Sequence, residues 1–117
     1  MDERKYYKIY TQIADAVAEY SLPVSELNLN TMVTAMLLMI DSSYNPVEIS
    51  MHRLYKELAD HYDITPKCAE SRLRRFQNAF LFNIPESLAI NIFTFRYPLI
   101  SNGEFMKVFA KHVANWC

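Results

Sequence analysis

The sequence predicts an all-α domain of about six helices with a helix-turn-helix at its centre, over residues 50–82. Three observations predict it. A single glycine and five scattered prolines in 117 residues are too few turn formers for a sandwich or barrel of many hairpins. Apolar residues recur at helical spacing in one segment after another. Between two such segments, Thr65-Pro66 supplies a hydroxyl cap and then proline at a first helical position, where the missing N–H costs nothing.

The first helix is predicted from Asp2 to Tyr20, with Tyr6, Tyr10, Ile13, Val17 and Tyr20 on one face and Asp2 and Glu3 near its positive end. Leu22-Pro23 stops it, because proline disfavours helical geometry in the residue before it. Ser25, Asn28 or Asn30 can start the next helix, about Glu26 to Ser42. Leu29, Met32, Val33, Met36, Leu37, Met39 and Ile40 make that helix apolar over more than half its surface, so it belongs at the centre. Residues 41–46, Asp-Ser-Ser-Tyr-Asn-Pro, form a turn cluster by composition.

The third helix is capped by Ser50 and places Met51, Leu54, Tyr55, Leu58, Ala59 and Tyr62 on one stripe. Asp63-Ile64 is the turn. In the fourth, Ala69, Leu73, Phe76 and Phe80 share a stripe while Lys67, Glu70, Ser71, Arg74, Arg75 and Asn78 point the other way. A short connection between two such helices forces the apolar stripes together and leaves the polar face of the second one outside. A short helix is expected from Glu86 to Phe93 or Phe95, although Ile92 to Tyr97 also suits a strand by propensity. Pro98 to Gly103 reads as a loop, and Glu104 to Trp116 as a terminal helix docking on Phe105, Val108, Phe109, His112, Val113 and Trp116.

With 51% hydrophobic content and no linker or repeat, residues 1–117 constitute one domain that can bury a core without metal or disulfide help. No segment approaches a membrane span, and the charged N-terminus lacks a signal core, so a cytoplasmic, membrane-free protein is expected. Met1 running directly into a helix favours a stand-alone chain. Cys68 and Cys117 are too few and too distant to be a disulfide framework, and Cys68 reads as a partly buried, inert thiol despite its place near a helix N-terminus.

The net charge of −1 is unevenly spread. Residues 1–66 carry five basic and ten acidic side chains, 67–75 carry four and one, and 76–117 carry three and two. Positive density is therefore local to the fourth helix, where it can face phosphates even in a weakly acidic protein. Taken alone, such a charge run is a solvated helix face. No catalytic site is expected: His52, His61 and His112 lack metal-ligand spacing, Glu57 and His61 read as a surface pair, and no glycine-rich phosphate loop exists. Neither a cofactor nor a metal is implied.

Leu54-Tyr-Lys-Glu-Leu-Ala-Asp-His-Tyr-Asp-Ile-Thr65 resembles the C-terminal DNA-binding effector domain of the sporulation initiation response regulator, stage zero sporulation protein A. Leu22-Pro23 before a long helix, Phe93 before a loop with Pro98, and Asn102-Gly-Glu-Phe-Met106 fall in the family's order, so the likeness spans residues 9–116. It implies a six-helix bacterial transcription regulator that sits in tandem on short DNA boxes. The family's recognition-helix pattern falls on Lys67 to Arg74: Glu70 and Arg74 match, and Cys68 and Ser71 stand where the family has arginines. No phosphoacceptor receiver domain accompanies it here.

The expected function is sequence-specific recognition of double-stranded DNA, with helix 66–82 in the major groove. Lys67, Glu70, Ser71, Arg74, Arg75 and Asn78 would face the groove, and Arg53 and Lys56 on the preceding helix would touch phosphates. Arg74 is the foremost candidate for a base or backbone contact. A homodimer or tandem assembly on DNA accompanies that reading. The alternative is a helical interaction module that does not bind DNA and pairs with or antagonises a related regulator, using its acidic first half and eight tyrosines.

Overall fold

Six helices follow one another along the chain, and no strand occurs among the described residues. The computed structural model describes residues 3–41, 50–93 and 100–116. Helix α1 (Glu3–Glu19) ends in a reversal at Ser21, whose φ of 51° is left-handed. The Leu22 N–H reaches back to the Val17 carbonyl at 2.9 Å, closing the helix end and driving Leu22 into the core ahead of Pro23. Ile9 and Ile13 are the buried residues of α1, and the predicted Tyr6, Tyr10, Val17 and Tyr20 flank them half-buried. Two of those tyrosines sit at the boundary because their hydroxyls have partners there: Tyr6 donates to Asn30 Oδ1 at 3.0 Å and Tyr10 to Glu26 Oε1 at 2.6 Å.

Ser25 starts α2 (Glu26–Asp41), its Oγ accepting the Asn28 N–H at 3.1 Å. Met32, Val33, Ala35, Met36, Leu37 and Met39 are buried, and α2 packs against α1, α3 (Met51–Tyr62), α4 (Pro66–Asn83) and α6 (Asn102–Trp116). A helix apolar on nearly every side must sit at the centre. Its buried threonines are satisfied, Thr31 by donating to the Leu27 carbonyl at 2.8 Å and Thr34 by the Tyr62 hydroxyl at 2.6 Å. Of the predicted turn over 41–46, all but Asp41 lies outside the described residues.

Helix α3 begins where expected, with the Arg53 N–H bonded to Ser50 Oγ at 3.1 Å. Asp63 ends it in the left-handed conformation, φ 54° and ψ 51°, and the Ile64 N–H returns to the Ala59 carbonyl at 3.0 Å. Thr65 then caps α4 by accepting the Cys68 N–H at 3.1 Å, with Pro66 in the first helical position. Ala69, Leu73, Phe76 and Phe80 are buried as the spacing predicts, and Gln77 and Ala79 join them.

Helix α5 (Glu86–Phe93) is helical through the stretch that also suited a strand up to Phe93; Phe95 and the rest of that stretch lie outside the described residues. The loop expected to reach Gly103 is shorter. Asn102 and Gly103 already belong to α6 because Ser101 caps it, accepting the Glu104 N–H at 3.2 Å in a Ser-x-x-Glu arrangement. The buried face of α6 is Phe105, Met106, Phe109, Ala110 and Val113, so it is turned toward Met106 and Ala110, while Val108 and His112 are half-buried. The Trp116 side chain lies outside the described residues.

An aromatic cluster explains that turn of the helix. Phe109 packs on Phe76, Phe80 and Phe105 at centroid distances of 5.9, 5.2 and 5.3 Å, and Phe93 of α5 stacks on Phe105 at 5.2 Å. Replacing one of these rings by alanine would cost about 3–5 kcal/mol through lost burial and the cavity left behind. Residues of all six helices contribute to the one core. The Cα radius of gyration, 13.2 Å, is what a single compact domain of this length has.

Candidate nucleic-acid interface

The α3–α4 connection fixes the direction of α4. Three residues, 63–65, join the helices, with Asp63 ending α3 and Thr65 capping α4, and the buried stripes on both helices lock the pair together. What remains outside on α4 is a face carrying Lys67, Cys68, Arg74, Arg75, Asn78 and Phe82, all exposed, with Glu70 and Ser71 half-buried at its edge. On a 3.6-residue helix, positions 67, 71, 74, 75, 78 and 82 fall on one side. The structure thus brings the predicted α4 residues together.

They are not electrostatically equivalent. Arg74 Nη2 donates to Glu70 Oε1 one turn back. With the Asn102 amide oriented to satisfy both its ends, Asn102 Oδ1 accepts from Arg74 Nη2 at 2.9 Å and from Nε at 3.0 Å, while Asn102 Nδ2 donates to Gln77 Oε1 at 2.8 Å. Two of the three guanidinium nitrogens are therefore engaged, and Nη1 is the end left for a new acceptor. A two-pronged contact to a guanine would require Arg74 to release Glu70 or Asn102. The Tyr55 hydroxyl of α3 feels the same pair: burial raises its pKa first, the Glu70 carboxylate adds to the rise, and Arg74 opposes it.

Arg72 belongs to a different surface. It is half-buried, with its guanidinium carbon 5.5 Å from the centroid of the Tyr62 ring, and its Nη1 is buried without a hydrogen-bond partner. The run of four basic residues in 67–75 is thereby divided into one turned inward, one paired, and two, Lys67 and Arg75, that form no ion pair among the described residues. Sequence spacing alone overstates the outward charge of this helix.

On α3, Arg53 and Lys56 lie exposed opposite the buried stripe. Arg53 Nε pairs with Glu57 Oε1 at 3.1 Å, an exposed contact one turn along the helix that adds little stability. The expected Glu57–His61 pair is thus replaced by Glu57–Arg53. Cys68 is exposed, not partly buried, since it lies off the stripe that buries its neighbour Ala69.

Phe82 is the residue that periodicity did not single out. It is 83% exposed, one turn beyond Asn78, and borders an open cleft of about 530 Å³ between the start of α2 and the end of α4, with Pro23, Ser25, Asn28, Arg75 and Asn78 among its walls. The signal for it lay in its place two residues after Phe80, off the buried stripe. Among the described residues no group of three or more His, Cys, Asp or Glu side chains is placed to hold a metal ion, and no helix is long and apolar enough to cross a membrane. Comparison with protein-family models, with curated proteins and with solved structures finds no match to this chain.

Proposed function

We propose that this protein is a DNA-binding transcription regulator of the sporulation-effector type, cytoplasmic, in which α3 and α4 act as a helix-turn-helix and α4 enters the major groove. The observation that carries this reading is the exposure of Lys67, Arg74, Arg75 and Asn78 on one side of a helix whose start is fixed by the Asp63 and Thr65 caps. A groove-reading helix needs such a face held at a set angle by its neighbour. Lys67 and Arg75 supply charge for phosphates, Asn78 is suited to adenine, and Arg53 and Lys56 lie on the preceding helix for backbone contact. Two copies in tandem would extend the site along the duplex.

A second reading has its own support. Phe82 is exposed beside Arg75 and Asn78, and the Glu70–Arg74 pair neutralises part of the face, as suits a module that docks on a related regulator. One experiment separates them. Binding to a pool of genomic fragments is measured at about 50 mM and about 200 mM salt, where phosphate contacts make affinity fall steeply. Retention at the lower salt and its loss at the higher supports DNA binding. No retention at the lower salt, combined with co-elution with a related regulator, supports the docking module instead.

A further inference from the structure

A cleft of about 470 Å³ opens between α1, α2 and α3, lined by Glu3, Tyr6, Tyr7, Asn30, Thr34, His61 and Tyr62. It shares no residue with the α4 face. We propose that this cleft is a receptor for an alkylammonium group, held against the rings of Tyr6, Tyr7 and Tyr62 and the carboxylate of Glu3.

The walls are aromatic pairs set at right angles. Tyr6 and Tyr7 meet edge to face at 6.3 Å and 86°, and His61 and Tyr62 at 4.7 Å and 84°. Rings that meet this way present π faces in more than one direction, which is how aromatic cages hold alkylammonium ions. One of these rings already serves a cation in this protein, since the Arg72 guanidinium lies 5.5 Å from the Tyr62 centroid. Arg72 reaches Tyr62 from α4 and is not part of the cleft lining.

Three hydroxyls of the floor are left as acceptors for a donor ligand. Tyr6 gives its proton to Asn30 Oδ1 at 3.0 Å, Tyr62 gives its proton to the Asn30 carbonyl at 3.0 Å, and Thr34, 2.6 Å from the Tyr62 oxygen, must then give its own to Tyr62. Each hydroxyl has one proton. With all three spent, their oxygens can meet a ligand only as acceptors, and Glu3 adds a negative charge at the rim. Asn30 Nδ2 and the Tyr7 hydroxyl stay as neutral donors in the lining, and the carboxylate of Glu3, with the π faces of the tyrosines, favours an alkylammonium over an anion. The volume lies within the range of small-molecule pockets and leaves room around an alkylammonium group.

The same group can arrive as a free amine or as a lysine side chain of another protein, and the test distinguishes the two. Tyrosine ring resonances of the full chain are followed by NMR during titration with choline, with its uncharged isostere 3,3-dimethylbutan-1-ol, with acetate, and with a short peptide bearing trimethyl-lysine. Saturable shifts of the Tyr6, Tyr7 and Tyr62 signals with choline, about tenfold weaker with the alcohol, are expected. Tyr7→Ala and Glu3→Gln should each weaken choline binding about fivefold or more without altering thermal unfolding, because both side chains are exposed. A peptide that binds more tightly than choline assigns the site to protein-borne lysine, and a weaker one assigns it to a free amine. Equal binding of choline and the alcohol, preference for acetate, absence of ring shifts, or choline binding that survives both substitutions overturns the proposal.

Discussion

The side-chain oxygen of Asn102, at the start of α6, accepts two hydrogen bonds from the Arg74 guanidinium on α4, at 2.9 Å from Nη2 and 3.0 Å from Nε. Glu70 accepts from the same Nη2. The last helix of the domain therefore takes part in setting the chemistry of the α4 face. It restrains Arg74 without covering it, since about half of that side chain, 51%, remains accessible.

Arg74→Ala should weaken DNA binding by about 1–3 kcal/mol, read as fluorescence anisotropy of labelled duplexes. Glu70→Gln should strengthen it, because the substitution removes the carboxylate that competes with DNA for Arg74. If Glu70→Gln instead binds more weakly, the carboxylate itself reads the groove, as it would by accepting from a cytosine amine.

Lys67→Gln and Arg75→Gln should each weaken binding about equally for all sequences and lower the salt-dependence slope by about 1. The slope is the informative quantity, since it counts released counterions rather than base contacts. Unchanged slopes in both variants would remove α4 from the phosphate-contacting surface.

Tyr62→Phe should cost about 0.5–1.5 kcal/mol of stability in urea unfolding. The hydroxyl donates to the Asn30 carbonyl at 3.0 Å and meets Thr34 Oγ1 at 2.6 Å, fastening the end of α3 to α2 just before the turn into α4. A wild-type midpoint in this variant would mean that the network is matched by water in the folded protein.

Burial holds the His112 pKa below its ordinary value of 6.5. A histidine depressed on folding takes up protons more readily in the unfolded chain, so its stabilising contribution is complete above pH 6.5 and is lost as pH falls through the folded-state pKa. Unfolding midpoints should accordingly decline on acidification from neutral pH, and His112→Gln should flatten that part of the profile. An identical profile in the variant would assign the decline to other groups.

Gly103→Ala should raise stability by about 0.4–1 kcal/mol, seen as a higher unfolding midpoint. Gly103 lies in the first turn of α6 without a positive φ, and an added Cβ would meet Met51 Cγ at 3.5 Å, an ordinary contact. A lower midpoint would mean that this junction between α6 and α3 has no room for a methyl group.

Helix identity, order and the caps at Ser50 and Thr65 were legible along the chain, since they depend on residues within one or two turns of each other. The Ser101 cap of α6 was missed, because the lone glycine beside it read as a loop, although Ser101 and Glu104 stand at Ser-x-x-Glu spacing. Ile9, Met106 and Ala110 were not singled out, because a helix's buried face is settled by the neighbours that cover it. For α6 those neighbours include Phe76 and Phe80, far away in sequence.

The α4 face divides in the same way. Its membership follows from a 3.6-residue repeat, so Lys67, Arg74, Arg75 and Asn78 could be grouped from the sequence by itself. Which of its charges are free is a matter of distances across the fold. Arg72 folds back on Tyr62, Arg74 is shared between Glu70 and Asn102, and Phe82 is left exposed. Local periodicity determines which side chains can point outward; contacts between helices decide which of them arrive there with donors and charge still available, because hydrogen bonds and ion pairs act only over a few ångströms.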